Sequence, residues 1–425
     1  MSTLKVNKLR DTAGSADAIT LDPNGGAVLA GVTTVTSVKV GAAVTISESG
    51  IEASGIGITC ASINGGQLSN RNMVINGAME VDQRNEGSAV TSSPGGSLNF
   101  AADRNHFYNY GTGELTATLQ RVADAPAGFY NSNKVTITTP ESTGGTPDAD
   151  DRFSMQHRIE GRNINRLALG TSGAKAFVIS FYIKVSVAGN YGLAVQGGSN
   201  NGRSYCMLYP ATTSWTRVVL KVPGDTSGTY QAGTSSGLEL KFGLYNGSSR
   251  VGANQGITGT GSWQASASPQ GTTGQTQLGG TNGATWQITG LQVEAGTEPT
   301  EFEHRRHGDE LSLCQRYFFK WSSSQAYSNF NMGYATSATN VETVYQLPVV
   351  MRDSPTLATS GTFRIVGYSY NAGQDSSSLS SIEITRSHTR SPYLRAVCSG
   401  MSVGQIGEWG DNGSNDATMS FDAEI

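Results

Sequence analysis

Few residues in this chain are of a type and spacing that could do chemistry. Five histidines, His106, His157, His304, His307 and His388, are candidate bases. Nucleophilic catalysis also needs a nucleophile and an orienting group, and no GxSxG elbow accompanies any of them. His304 and His307 bracket two arginines in EHRRHGDE. As metal ligands they would have to share a helix face beside the charges of Arg305 and Arg306. The simpler expectation is a solvated segment in which those arginines pair with Glu301, Glu303 and Asp309. Asp148, Asp150 and Asp151, in PDADDR, offer clustered oxygens of the kind calcium takes. The glycine and terminal glutamate of an EF-hand loop are missing, so an exposed acidic loop neutralised by Arg152 is the competing reading. Glycoside cleavage uses two carboxylates roughly 5–10 Å apart, and no long repetitive β-helix is present to display them in a groove. Sugar binding without cleavage asks only for an exposed aromatic plane and nearby polar groups. Trp263, Tyr230, Tyr327 and Tyr370 are the candidates. Trp215 and Trp286 lie in alternating strands and read as core, and for Trp263 a packed or subunit-interface role competes with the sugar platform.

The elements that must position these residues are β-strands. Glycine fills 54 of 425 positions, about 13% against a usual ~7%, and charged residues make up 15% against about 25%. Such a composition suits strands and tight turns, and leaves few charges to build an active site. It also makes an all-α or doubly wound α/β enzyme improbable. At roughly 150 residues per domain the length corresponds to about three domains. Net charge is -4 with no basic stripe, which argues against a nucleic-acid partner, since that affinity comes from neutralising phosphates. The first twenty residues carry Lys5, Lys8 and Arg10 without an apolar core behind them, unlike a secretory signal. The most apolar run, Ala176 to Val185, is too short for a bilayer. A protein made in the cytoplasm and not inserted in a membrane is expected. Cys60, Cys206, Cys314 and Cys398 are far apart and read as free, mostly buried thiols.

The texture changes three times. Residues 1–69 lack Trp, Phe and Tyr, and β-branched positions such as Val38, Val40, Val44, Ile46 and Ile51 recur between Gly, Ser and Thr. Ordering the backbone costs about 1–2 kcal/mol per residue, and one copy has too little apolar surface to offset that. An intertwined homotrimeric β stalk is therefore expected. Residues 70–298 bring aromatic residues and alternating runs: Leu115 to Val122, Lys134 to Thr138, Tyr191 to Gln196, Ser204 to Tyr209, Trp215 to Val222, Leu238 to Leu244 and Thr285 to Val293. Ala176 to Val185 reads as a central strand. Short strands separated by turn signals predict a jelly-roll-like β-sandwich, interrupted by a long polar loop over 252–283. Residues 299–316 read as a hinge and short helical connector carrying Leu311, Leu313 and Cys314. Residues 317–425 return to strand texture and predict a second small β-sandwich. The fold class is all-β.

Three stretches resemble bacteriophage tail-fibre and related virion-fibre proteins. NMVINGAMEVDQR (72–84) is similar to the opening of many fibre head domains. WQITGLQVEAGTEPTEFEHR (286–305) is similar to the closing strand and exit loop of the same domain. LCQRY (313–317), LPVVMRDSPT (347–356) and the final FDAEI resemble the domain that follows. The stalk phrases ITLDPNG and GVTT are similar to structural proteins of marine phages such as cyanophages. One departure is that Asn105, His106 and Phe107 follow Asp103–Arg104, where family members tend to place a Trp. The resemblance implies a non-enzymatic homotrimeric tail fibre, docked to tail or neck proteins by its N-terminal region and touching a host surface glycan. Its alternatives are a neck or head fibre and a fibre-borne depolymerase. Jelly-roll modules of this kind often hold a structural calcium, which keeps Asp148, Asp150 and Asp151 in view as ligands; no other cofactor is implied.

Overall fold

The computed structural model of the chain describes residues 69–141, 146–198, 202–266, 268–369 and 373–425 and, nearer the N-terminus, the backbone of six short strands. The chain divides into two compact units, Met1–Ala61 and Ser62–Ile425. In the first, β1 (Lys8–Leu9), β2 (Ile19–Leu21) and β3 (Ala27–Leu29) form one antiparallel meander. A second meander is made by β4 (Ser37–Val40), β5 (Val44–Ser47) and β6 (Gly50–Ala53). Its register sets Ile46 opposite both Val38 and Ile51. The intertwining of residues 1–69 with sister copies lies outside the described residues.

The second unit begins with a sandwich of two six-stranded antiparallel sheets, as the alternating runs require. Its early strands are β7 (Val90–Ser92), β8 (Leu98–Ala102), β9 (Asn105–Tyr110), β10 (Thr116–Val122), β11 (Ser132–Thr139) and β12 (Arg152–Glu160). A helical turn, α1 (Gly161–Ile164), leads to β13 (Phe177–Val185), β14 (Gly189–Gly197), β15 (Ser204–Ala211), β16 (Thr216–Val222) and β17 (Ser236–Asn246). Two short parallel strands, β18 (Val251–Gly252) and β19 (Gly271–Thr272), precede the long β20 (Thr285–Ala295). One sheet runs β16-β13-β20-β11-β10-β7 and the other β15-β14-β17-β12-β9-β8. This is the jelly-roll-like sandwich.

Strand periodicity sends Phe153, Met155 and Ile159 inward from β12, and Leu238, Leu240, Phe242 and Leu244 from β17. Between the sheets Phe181 meets Tyr209 and Phe242 edge-on, with centroids 5.1 and 5.2 Å apart. Buried side chains of this size each contribute about 1.5–3 kcal/mol relative to exposure. Gly290 sits at φ +63° where β13 and β20 slip register, and a Cβ there would lie 2.7 Å from the Phe129 ring. Glycine is required by both conformation and space.

After α2 (His307–Gln315) come β21 (Phe318–Ser322), β22 (Asn329–Ser337), β23 (Asn340–Val344), β24 (Thr356–Ser360) and β25 (Phe363–Ser369). The remaining strands are β26 (Gly373–Ser378), β27 (Ser381–Arg386), β28 (Tyr393–Val397), β29 (Ile406–Asp411) and β30 (Thr418–Asp422). A three-stranded sheet, β21-β30-β24, packs on a seven-stranded one, β26-β25-β29-β22-β23-β28-β27, around Trp409, Phe421 and Met419. This is the second, smaller sandwich. Among the described residues no helix is long and apolar enough to cross a membrane.

The stretches that carry the fibre resemblance meet where the two sandwiches join. The Asn76 side chain donates to the Val81 and Asp103 carbonyls (2.7 and 2.9 Å) and accepts from the Val81 N–H. Arg84 lies between the rings of Phe100 and Phe318, 3.8 Å from each centroid, and pairs with Asp422 at 2.7 Å. Arg104, 1% exposed, pairs with Glu424 and covers the Tyr317 ring at 3.5 Å. Arg352 donates to the Ala423 and Glu424 carbonyls. Arg316 forks onto Glu160 (3.0 and 2.7 Å), which also accepts from the Tyr317 hydroxyl.

The connector differs from the solvated segment expected. Arg305 pairs with Glu310 at 3.3 Å, not with Glu301, Glu303 or Asp309, and donates to the Val74 carbonyl at 2.9 Å. Glu303 instead accepts from the Asn72 N–H. Leu311, Leu313 and Cys314 pack with Ile75, Val81 and Tyr317. The segment is a joint because its charges satisfy the backbone of residues 72–76.

Candidate functional site

Two of the four aromatic candidates come together. Trp263 and Tyr230 meet edge-to-face, centroids 6.4 Å apart, both half-buried against the sandwich core. Their polar atoms are used internally. The Trp263 indole donates to the Pro223 carbonyl (2.8 Å) and the Tyr230 hydroxyl to Asp225 (2.9 Å). Burial pushes the Asp225 carboxyl up, but the Arg203 fork, the Ser227 N–H and Tyr230 outweigh it and hold its pKa below the ordinary value. The pair braces the long loop to the sandwich. Tyr327 is 59% exposed at φ +64°, with Arg364 5.0 Å over its ring. Tyr370 lies outside the described residues, as does Cys60; Cys206, Cys314 and Cys398 are buried cysteines outside any disulfide.

The three aspartates go to separate partners. Asp150 pairs with Arg250 at 2.9 Å, Asp151 accepts from the Asp148 N–H, and Asp148 accepts from Thr112. Among the described residues no group of three or more His, Cys, Asp or Glu side chains is placed to hold a metal ion. His106 and His157 are buried in the sandwich, and burial holds both well below the ordinary histidine pKa. His304 packs between Phe129 and Phe302. Trp286 is fully buried. Trp215 corrects the expectation of a core role: it is only half-buried, sits under Lys184 (5.2 Å) and donates to Asp124. It immediately precedes β16, an edge strand, where the sheet's outer surface is all that remains to cover.

The arrangement best suited to ligand contact was not singled out in the sequence. Register pairs His106 with Gln156, Tyr108 with Ser154 and Tyr110 with Arg152, so these side chains share the outer face of their sheet. The Tyr108 and Tyr110 rings are nearly parallel (6°), centroids 6.4 Å apart. Arg152 lies over both, at 5.2 and 4.5 Å. Its Nε is buried without a hydrogen-bond partner among the described residues. Leu98, opposite Tyr108, and Tyr110 are 41% and 42% exposed. From the other side the β7–β8 turn backs onto the rings: a Cβ on Gly96 would meet the Tyr108 hydroxyl at 3.0 Å.

The rest of this face is closed by the long loop. Gln270 accepts from Ser154 (3.2 Å) and Gln156 (2.8 Å), and Thr272 donates to the Met207 carbonyl (2.9 Å). Beneath it Lys241 is held between Gln196 (2.6 Å) and Glu239 (3.1 Å). The β8–β9–β12 end stays open. Two aromatic rings beside a guanidinium can pack against the apolar face of a sugar and hydrogen-bond its hydroxyls.

No protein-family model matches the sequence, and no curated protein does. Several solved structures are similar. A CBM4 structure shares 12% identity over 52% of this chain and 99% of its own, at a TM-score of 0.28. The enzymatically active domain of bacteriophage CBA120 tailspike protein 4 shares 9% over 53% of this chain and 21% of its own, at 0.27. A family 11 carbohydrate-binding module from Clostridium thermocellum, in complex with a mixed-linked tetrasaccharide, shares 13% over 50% of this chain and 100% of its own, at 0.25.

Proposed function

We propose that this chain is a non-enzymatic, glycan-binding phage fibre protein that acts as a homotrimer. Its N-terminal region docks on the tail or neck of the particle, and the sandwich meets the host surface through Tyr108, Tyr110 and Arg152. The observation that carries the reading is that tyrosine shelf: two nearly parallel rings beside an arginine, at an end of the face that the long loop leaves open. The ordered fibre motifs support the virion setting, and the apolar poverty of residues 1–69 supports the trimer. The test is titration of the full chain against a panel of neutral hexasaccharides and host-surface polysaccharide. Tyr110→Ala should weaken the binding about tenfold, as loss of a central aromatic contact does. No new reducing ends should form. Mass measurement should give three times 44.5 kDa. Binding untouched by Tyr110→Ala refutes the shelf, sustained release of reducing ends refutes the non-enzymatic reading, and a monomer at micromolar concentration refutes the trimer.

A further inference from the structure

The sheet β15-β14-β17-β12-β9-β8 holds a buried lysine on the face that the long loop covers. Leu238, Leu240 and Phe242 of β17 point into the core, so Glu239 and Lys241 point the other way. Register sets Gln196 of β14 directly opposite Glu239, with Lys241 diagonal to it on the same face. Lys241 is 7% exposed and Gln196 4%. A lysine is almost never buried this far without a partner, and this one has two.

The three side chains are an amine, an acyl group and a base within reach of one another. Lys241 Nζ lies 2.6 Å from Gln196 Oε1 and 3.1 Å from the Glu239 carboxylate. A carbonyl bond is about 1.23 Å long, so Nζ is within about 4 Å of the amide carbon Cδ, close to the ~3–3.5 Å from which reacting atoms engage. The amide is fixed in this orientation from its other end, where Gln196 Nε2 donates to the Pro269 carbonyl of the loop. Burial lowers the Lys241 pKa against the pull of Glu239, which eases formation of the free amine. Burial also pushes Glu239 up, but Lys241 and Arg158 outweigh it, and the group stays a carboxylate able to take a proton. Both reactants stand on paired strands, so the ladder holds them in place. At this depth water competes poorly for the acyl carbon.

We propose that Lys241 and Gln196 join in an intramolecular isopeptide bond, made by the folded chain itself with Glu239 as the proton carrier. Glu239 takes a proton from the Lys241 ammonium, and the free amine attacks Cδ of Gln196. The Nζ–Cδ bond forms and the Cδ–Nε2 bond breaks. Two protons pass in turn from Nζ through Glu239 to Nε2, which departs as ammonium. Nothing is oxidised or reduced, and no co-reactant is consumed. The bond ties β14 to β17 and closes a covalent loop over positions 45 apart, which restricts the unfolded chain.

The experiment is the intact mass of the purified full-length protein, denatured before measurement, followed by tryptic mapping. The linked chain should weigh about 17 Da less than its sequence, the mass of one ammonia. Digestion should release a branched peptide joining 185–203 to 222–250, uncut after Lys241. Lys241→Met and Glu239→Gln should each show the full sequence mass. A parent protein at full sequence mass, cleaved by trypsin after Lys241, overturns the proposal whether or not the variants fold. So does a loss of about 17 Da that survives in Lys241→Met, because it then belongs to a succinimide at an Asn–Gly step. A Glu239→Gln protein that still links overturns the part given to Glu239.

Discussion

The joint between the sandwiches should depend on Glu424. Its partner Arg104 is 1% exposed, and the Glu424 side chain is itself 9% exposed. Replacing Glu424 by Gln keeps the shape and leaves a guanidinium buried without its counter-charge. Breaking a buried pair from one side costs about 3–5 kcal/mol. Arg104 keeps the Arg158 carbonyl at 2.6 Å and the Tyr317 ring at 3.5 Å, and Arg84, which also reaches Glu424 at 3.4 Å, keeps Asp422. The lower end, about 3 kcal/mol, is therefore expected. The assay is urea unfolding followed by tryptophan fluorescence, since Trp286 and Trp409 report on the two cores. Glu424→Gln should lower the midpoint and split one transition into two. Removing both charges, as Arg104→Met with Glu424→Gln, should recover much of the loss, because an apolar replacement of a buried pair is often near neutral. A single-variant loss under about 0.5 kcal/mol, or a double variant whose losses simply add, would refute the reasoning.

Two further outcomes follow from buried groups. His106 and His157 are held neutral by burial, so their folded pKa values lie below the unfolded value near 6.5. Their contribution is fully present above that value and is lost as pH falls, because the unfolded chain takes up protons that the native state cannot. The slope approaches about 2.7 kcal/mol per pH unit for the pair. Burial raises the Asp103 carboxyl pKa, which acts with the opposite sign at lower pH, so the comparison belongs between pH 7 and 5. Denaturant titrations over that window should show the slope roughly halved in His157→Gln, and an unchanged slope would remove the histidines from the account. Separately, Gly290→Ala should cost about 1–3 kcal/mol, from the left-handed backbone and the Phe129 ring together. A thermal midpoint equal to the parent's would show that the bulge relaxes freely.

Much of the fold was legible because inward residues alternate with outward ones. β13, β16, β17 and β20 all fall on runs whose alternate positions are Leu, Ile, Val or Phe. β24 (TLATS) and β29 (IGEWGD) carry no such pattern: the first is mostly polar, and the second has glycine at two of six positions. Their place is set by partners distant in sequence, since β30 pairs β24 and both β22 and β25 pair β29. The site was less legible for a related reason. Trp263 drew attention as the lone aromatic residue of a polar loop, yet an indole N–H that reaches a buried carbonyl is a brace. Tyr108 and Tyr110 were visible in HFYNY, where a period of two already separates them from inward Phe107. Nothing in that string says which set faces out. That requires the pairing with Arg152 and Ser154 on β12.

The placement of the fibre motifs bears on where specificity resides. Asn76 with Glu310, and Arg84 and Arg104 with Asp422, Glu424 and Tyr317, form largely buried polar contacts between positions more than 200 apart, and none of these residues contributes to the tyrosine shelf. Such contacts tolerate little change, since each unpaired member costs its full desolvation. Tyr108 and Tyr110 sit on a sheet face where the opposite side of the strand already secures the core. Their replacement changes contact chemistry at small cost to folding. The joint and the shelf are thus independent parts of the molecule, and a resemblance carried by the joint speaks to how the two sandwiches are held, while the ligand is decided by residues outside it.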